Sequence, residues 1–471
     1  MRRTKIIATV GPASDSDSVL DAIIEAGVDL ARLNFSHGTQ ASHAAMLARI
    51  RSAARRAGRP VAILQDLSGP KIRTGRLEGG EPLPLEAGET LRIVTGDGAG
   101  RPGVVFTTFD GLAKGVSRGD RLLLADGAIE LLVNASDGVE IQTTVVEGGT
   151  LGEHKGINAP GVKIAASAIT PKDVEDLRFG LSIGVDLVGV SFVRTKADLI
   201  EARRLLDGMN AARVPIVAKL ERPQALDDLD GILDHCDAVM VARGDLGLEM
   251  PLEQVPTAQK RITIAARHRE VPVIVATQVL ESMMRGARPT RAEVSDAANA
   301  VADGVDAIML AGETAVGLFP SRAVRTLDAI IREAETSPSV VDLPVAIERE
   351  DDGHLRALCG AAVTLAERGR ADAIVAVTRG GATARHLSAL RPRMPILAAT
   401  DRDETARRLS IYWGVVPVRA EVGDAVDPSG IALGRQLVAA GLVRPAATLV
   451  FVNIHDDLSR PDANFVTIQR L

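Results

Sequence analysis

Residues 214–221 read Val-Pro-Ile-Val-Ala-Lys-Leu-Glu. The run is short, apolar and rich in β-branched side chains, the composition of a strand buried on both faces of a parallel sheet. Similar runs recur at 5–10 (KIIATV), 30–35 (LARLNF), 61–67 (VAILQDL), 187–192 (LVGVSF), 238–246 (AVMVARGDL), 271–278 (VPVIVATQ) and 307–314 (AIMLAGET). Between most of them lie stretches rich in Ala, Leu, Arg and Glu, such as 41–57 and 196–208. Eight strand–helix units in succession predict an α/β fold built on a (β/α)8 TIM barrel.

The spacing of the runs breaks once, between the third and the fourth. The interval 74–168 is rich in Gly, Thr, Val, Asp and Glu and holds alternating runs such as 90–95 and 139–146. It is expected to be a small inserted β-barrel, placed where a lid over the barrel would sit. The barrel itself is then assigned to 1–73 and 169–340. Residues 337–353, with Ser, Pro and charge, are expected to be a linker. Beyond them, 354–471 alternates helix-like stretches with strand-like runs near 373–378, 395–400, 414–418, 448–454 and 465–470. This predicts a smaller C-terminal α/β domain.

Three domains suit 471 residues. Apolar residues at 46% and charged residues at 25% describe an ordinary globular chain, with no apolar run long enough to span a membrane. A net charge of −6 offers no basic face for nucleic acid. Eight Phe, one Trp and one Tyr leave little aromatic surface for stacking bases. Cys236 and Cys359 stand apart without metal-ligand spacing, and the opening Met-Arg-Arg-Thr-Lys-Ile lacks a signal-peptide core. A reducing, cytoplasmic location is expected. Only nine of the 55 basic residues are Lys, and none follows Lys260. In a chain so biased toward Arg, a Lys can mark a place where a compact point charge matters.

Chemistry in such barrels gathers at the C-terminal ends of the strands. There the sequence places Arg32, Asn34, Ser36 and His37, then Asp66, Lys71 and Arg73. Further along come Lys219 and Glu221, Arg243, Gly244 and Asp245, Thr277 and Gln278, and finally Glu313. A Lys inside Val-Pro-Ile-Val-Ala-Lys-Leu is costly unless paired or used. It is either an ion-pair partner of Glu221, two residues along on the same strand face, or a working cation. Glu221 and Asp245 end consecutive strands, so their carboxylates repel unless separate pairs or a shared cation such as Mg2+ relieve them. With Arg32 and Arg73 added, the mouth suits a substrate carrying both phosphate and carboxylate. The Gly-rich turn 378–384 (TRGGATA) is a weaker phosphate-binding candidate.

Long motifs now point the same way. TKIIATVGPAS at 4–14, ARLNFSHG at 31–38, IVAKLE at 216–221, VMVARGDLGLEMP at 239–251, VATQVLESM at 275–283, RPTRAEVSDAANAV at 288–301 and IMLAGETAVGLFP at 308–320 resemble the pyruvate kinase family. The resemblance implies phosphoryl transfer from phosphoenolpyruvate to ADP, giving pyruvate and ATP, in a homotetramer. It implies that Lys219 neutralises the phosphoryl group in transfer and that Glu221 and Asp245 hold Mg2+ or Mn2+. Arg32, Gly244, Asp245 and Thr277 would contact the substrate, Thr277 near the site where the enolate takes up its proton. Asn34, Ser36, His37, Arg73 and Lys155 would contact nucleotide phosphates, Lys155 from the inserted lid.

The sequence departs from the family in three places. Residues 66–73 read Asp-Leu-Ser-Gly-Pro-Lys-Ile-Arg where Asp-Thr-Lys-Gly-Pro-Glu-Ile-Arg is commoner. Asn34, Ser36, Asp66 and the Leu67 carbonyl match the family's potassium ligands, and Lys71 replaces the Glu. Its ammonium supplies the charge potassium would bring, so activity without K+ is expected. The late loop 454–465 is acidic and poor in Gly, which disfavours classical sugar-bisphosphate activation. Arg222 stands where Asn is common. Two other readings remain open: a magnesium-dependent barrel lyase acting through pyruvate enolate, and a catalytically inert sensor of phosphorylated metabolites.

Overall fold

The computed structural model describes residues 1–162, 167–336, 353–422, 430–455 and 464–471. Eight parallel strands form a closed barrel, in which each strand neighbours its sequence neighbour. They are β1 (Lys5–Thr9), β2 (Leu30–Asn34), β3 (Ala62–Asp66), β4 (Leu187–Val190), β5 (Ile216–Leu220), β6 (Ala238–Ala242), β7 (Val273–Ala276) and β8 (Ala307–Leu310). Alternate side chains serve two cores. Ile6, Ile63, Ile216, Val239 and Val273 pack outward under the helices, while Ile7, Leu64, Val217, Met240 and Ile274 fill the barrel. Burial on both faces is why these strands read as continuous apolar runs.

The helices start where the sequence supplies caps. Thr39 accepts from Ser42 N ahead of helix Gln40–Arg56, and Thr290 and Glu293 form a reciprocal capping box ahead of Arg291–Ala302.

All eight strands end sooner than the sequence reading expects, and three of these ends matter at the mouth. β6 stops at Ala242, β7 at Ala276 and β8 at Leu310, rather than at 246, 278 and 314. Beyond Ala242 a short helix, Arg243–Glu249, begins at once. Beyond Ala276, Thr277 and Gln278 take φ of 68° and 53° and leave the ladder. These residues face the mouth because they are no longer bound in the sheet.

The inserted region carries a six-stranded sheet and a two-stranded pair, 83–85 with 149–151. In the larger sheet, 157–158 and 104–107 are the edge strands. The segment 72–78 bridges these edges. Thr74 N donates to Lys155 O and Ile157 N to Ile72 O on one side, and Gly75 N donates to Phe106 O on the other. The sheet is thereby wrapped into a barrel-like ring by a segment with no strand pattern of its own.

The C-terminal sheet has the order 415–419, 396–400, 373–377, 448–453, 465–470, parallel except for its antiparallel last strand. It docks under the barrel. Ile411, Tyr412 and Val415 join the same apolar cluster as the barrel interior. Lys5, buried at the start of β1, donates to the Val415 carbonyl at 2.5 Å. The expected linker at 337–353 lies almost wholly outside the described residues, as does most of the late loop at 454–465.

Candidate active site at the barrel mouth

Lys219 points into the barrel interior from β5, one strand step beyond Val217. Its ammonium lies 3.0 Å from Asp66 Oδ1 and 2.8 Å from Glu221 Oε1, and donates to Ser191 Oγ at 2.7 Å. Both carboxylate side chains are 1% exposed. Burial alone would push the Lys219 ammonium down, but Asp66 and Glu221 outweigh it and raise its affinity for the proton. Lys219 therefore stays charged. Of the two alternatives drawn from sequence, the ion pair with Glu221 is present, and Asp66 joins it.

Asp66 also binds Arg32, whose Nε and Nη2 both lie 2.6 Å from Oδ2, while Nη1 donates to Thr9 Oγ1 at 3.1 Å. Burial works to raise the Asp66 pKa. The two cations more than offset it, holding this carboxyl below its usual range. Asp66 thus fixes two cations side by side.

Glu221 shows the opposite balance. Burial raises its pKa, Lys219 opposes this, and Asp245 raises it further. Glu221 Oε2 accepts from Phe192 N at 2.9 Å. The half-buried Asp245 carboxylate has no hydrogen bond or ion pair among the described residues. Two neighbouring carboxylates, one without any donor, fit a divalent cation placed between them. Among the described residues no three His, Cys, Asp or Glu gather as a metal cluster, so the remaining ligands of such an ion would be substrate and water oxygens.

Gly244 and Thr277 touch. Gly244 N donates to Thr277 Oγ1 at 2.7 Å, and that hydroxyl donates to Ala276 O at 2.6 Å. A Cβ on residue 244 would stand 3.2 Å from Thr277 Oγ1, so glycine allows this close approach.

On the other flank, Asn34 and Ser36 are joined through Ser36 N to Asn34 Oδ1 at 3.1 Å. The Leu67 carbonyl accepts from Ser191 Oγ at 2.7 Å. His37 is exposed. Partial burial lowers its pKa first, and Arg73, Lys71 and Arg32 lower it further, which puts all three cations within its electrostatic reach. Lys71, exposed, also lowers the Glu221 carboxyl. Lys155 is exposed, with no ion pair among the described residues, on the segment that rejoins the barrel beside Arg73. Arg73 reaches the His154 carbonyl at 3.5 Å. The structure thus draws Arg32, Asp66, Lys219 and Glu221 into direct contact. Lys71 and Arg73 lie within electrostatic reach of this flank without touching the four, and Lys155 is exposed on the inserted region beside Arg73.

Two expectations shift. Glu313 is 2% exposed and accepts from Leu280 N and Ala311 N, so it braces two turns instead of facing the mouth. In the 378–384 turn, Gly381 N donates to Thr378 Oγ1, so that amide is already satisfied. Sequence reading passed over Ser191 and Phe192, which hold Lys219 and Glu221. A serine at the end of an apolar run was the available signal.

The barrel and the C-terminal region match known families by sequence. Residues 1–324 match "Pyruvate kinase, barrel domain" and 356–468 match "Pyruvate kinase, alpha/beta domain". A pyruvate kinase of Mycobacterium intracellulare is 46% identical over 441 residues, covering 92% of each chain. One of Corynebacterium glutamicum is 46% identical over 413 residues, covering 88% of this chain and 86% of the other. A crystal structure of a pyruvate kinase from Cryptosporidium parvum superposes with a TM-score of 0.89 at 35% identity, covering 100% of this chain and 96% of that one. The chain belongs to the pyruvate kinase family and is a phosphotransferase of that kind.

Proposed function

We propose that this enzyme transfers the phosphoryl group of phosphoenolpyruvate to ADP at the mouth of the barrel, releasing pyruvate and ATP. The observation that carries the reading is Lys219, a buried ammonium fixed by Asp66, Glu221 and Ser191 beside Arg32. Phosphoryl transfer asks for little covalent help and for much charge placed in advance. Lys219 and Arg32 supply positive charge that need not reorganise as the phosphoryl group moves. The Gly244 amide and Thr277 hydroxyl, now bonded to each other, would exchange that bond for the substrate carboxylate. Thr277 then stands beside the carbon that accepts a proton.

Mg2+ or Mn2+ held by Glu221 and Asp245 would neutralise developing charge on phosphate and enolate oxygens. Arg73, Lys155 and the Asn34–His37 segment would hold the ADP phosphates. The lid of residues 74–168, carried on two crossings linked by the Thr74–Lys155 and Ile72–Ile157 hydrogen bonds, would bring Lys155 over them and exclude water. The catalytic barrel would comprise 1–73 and 169–340, and a distinct C-terminal domain 354–471. Membership of the family supports assembly into a homotetramer. Two free thiols, Cys236 and Cys359, support a cytoplasmic setting.

Lys71 would make K+ unnecessary by supplying a positive charge near the Asn34, Ser36, Asp66 and Leu67 positions, a reading supported by its electrostatic effect on Glu221 and His37. The test supplies phosphoenolpyruvate, ADP and Mg2+ and follows pyruvate through lactate dehydrogenase. The wild type forms pyruvate, and Lys219→Met lowers the rate by about 10³-fold or more. A folded wild type that forms none refutes the reading. Omitting K+ lowers the rate less than about tenfold, whereas Lys71→Glu acquires a K+ requirement; at most about 1.4 kcal/mol of catalysis then depends on the ion.

A further inference from the structure

Thr277 and Gln278 are adjacent non-glycine residues, both with positive φ, 68° and 53°. For a β-branched residue such a backbone is strained by about 1–3 kcal/mol and persists only where its surroundings impose it. One side chain does so. Arg243 Nη2 donates to the carbonyls of both Thr277, at 3.0 Å, and Gln278, at 3.1 Å, while Nε donates to Thr277 O at 3.3 Å. Its remaining nitrogen, Nη1, donates to Asp296 Oδ1 at 2.9 Å and lies 2.7 Å from Oδ2. The guanidinium is spent on two strained carbonyls and one carboxylate. Arg243 is the chain neighbour of Gly244, whose amide binds Thr277 Oγ1. Asp296 belongs to helix Arg291–Ala302, so the backbone of Thr277 is tied to a helix outside the barrel.

The geometry points to Arg243 as a positioning residue for Thr277, with Asp296 aiming its fork. Arg243 itself is not placed on substrate; its side chain meets Thr277 at the carbonyl and not at the hydroxyl. It holds the left-handed turn that presents the Thr277 hydroxyl to Gly244 and to the proton-accepting carbon. A Lys cannot reproduce this, because one ammonium cannot span two carbonyls and a carboxylate as a planar fork does. The inference rests on the phosphoenolpyruvate reading above, since it concerns that reaction's rate.

Arg243→Lys is expected to lower kcat about tenfold or more while KM for ADP stays within about twofold, because misplacement acts on the reacting end alone. Adding Gln278→Gly to Arg243→Lys is expected to restore at least about threefold in kcat, since glycine adopts positive φ without a clamp. A merely structural role for Arg243 predicts no such rescue. Asp296→Asn, on a half-exposed side chain, serves as the second variant should Arg243→Lys not fold, with kcat falling about threefold at unchanged ADP KM. The positioning role is overturned if kcat of Arg243→Lys stays within about twofold of wild type, if the loss ignores Gln278→Gly, or, where only Asp296→Asn folds, if its kcat is unchanged. Wild type runs in the same assay. Its failure to form pyruvate would overturn the kinase reading and this inference with it, whereas with an active wild type the outcome bears on Arg243 alone.

Discussion

At the floor of the barrel, Asp29, Asp186, Asp237 and Asp306 each precede an even-numbered strand. Each accepts the backbone N–H of a residue at the start of the preceding odd strand: Ile6, Ile63, Ile216 and Val273 in turn. Each also pairs with an arginine: Arg2, Arg51, Arg203 and Arg391. At the mouth, Asp245 accepts from no donor among the described residues, raises the Glu221 pKa and lies next to a strained turn. The floor spends its carboxylates on closing the sheet and docking the C-terminal domain through Asp186–Arg407 and Asp306–Arg391. The mouth leaves the Asp245 charge unmatched among the described residues. Stability and chemistry are thereby separated by the height of the barrel.

This contrast can be broken first at Asp186, which is 1% exposed and serves Ile63 N, Arg51 and Arg407 together. Asp186→Asn leaves two partly buried arginines without their anion and is expected to destabilise the fold by about 3 kcal/mol, read by thermal or urea unfolding, with KM for phosphoenolpyruvate unchanged. A loss below about 0.5 kcal/mol would show that the floor pairs are incidental.

Lys5 sharpens the same end through pH. Burial pushes its ammonium down to about 8 from 10.5. Between those values the unfolded chain holds a proton that the native chain has released, so native stability rises with pH. Relative to Lys5→Met, the wild type should gain about 3 kcal/mol as pH climbs from about 8 to about 10.5, measured by paired denaturation curves. Below pH 8 the cost of the buried ammonium is present in full. A constant gap between the two proteins contradicts this account of Lys5. The smallest effect belongs to Asp237, whose side chain is 33% exposed. Asp237→Asn should cost about 1 kcal/mol, because water screens its pair with Arg203.

The barrel was legible because a strand covered on both faces has no room for polar alternation, as in 214–221. Its polar ends were legible as residue types but not as conformations. Thr277 and Gln278 looked like the end of a strand, since nothing in Thr-Gln announces positive φ; Arg243 imposes it from the start of the short helix that follows β6. Ser191 looked like one more residue of Leu-Val-Gly-Val-Ser-Phe until the pairing of Val190 with Ala218 set it beside Lys219. The ring of the inserted domain was legible in its alternating runs. Its closure by 72–78 was not, because that segment bonds through isolated bridges. The floor did leave a written trace. Gly-Val-Asp occurs at 27–29, 184–186 and 304–306, with Cys-Asp at 236–237, each just before an even strand. Its meaning emerges only when every second strand is seen to need the same acceptor.

The central claim is that carboxylates at the two ends of one barrel have separate work. It is tested most directly by the rate of pyruvate formation from phosphoenolpyruvate and ADP, measured at 25 °C for Asp245→Asn beside Asp186→Asn. The account predicts that Asp245→Asn loses at least about 100-fold while Asp186→Asn, where folded, keeps wild-type kcat within about twofold. An active Asp245→Asn enzyme, or a folded Asp186→Asn enzyme that turns over as slowly as Asp245→Asn, would contradict it.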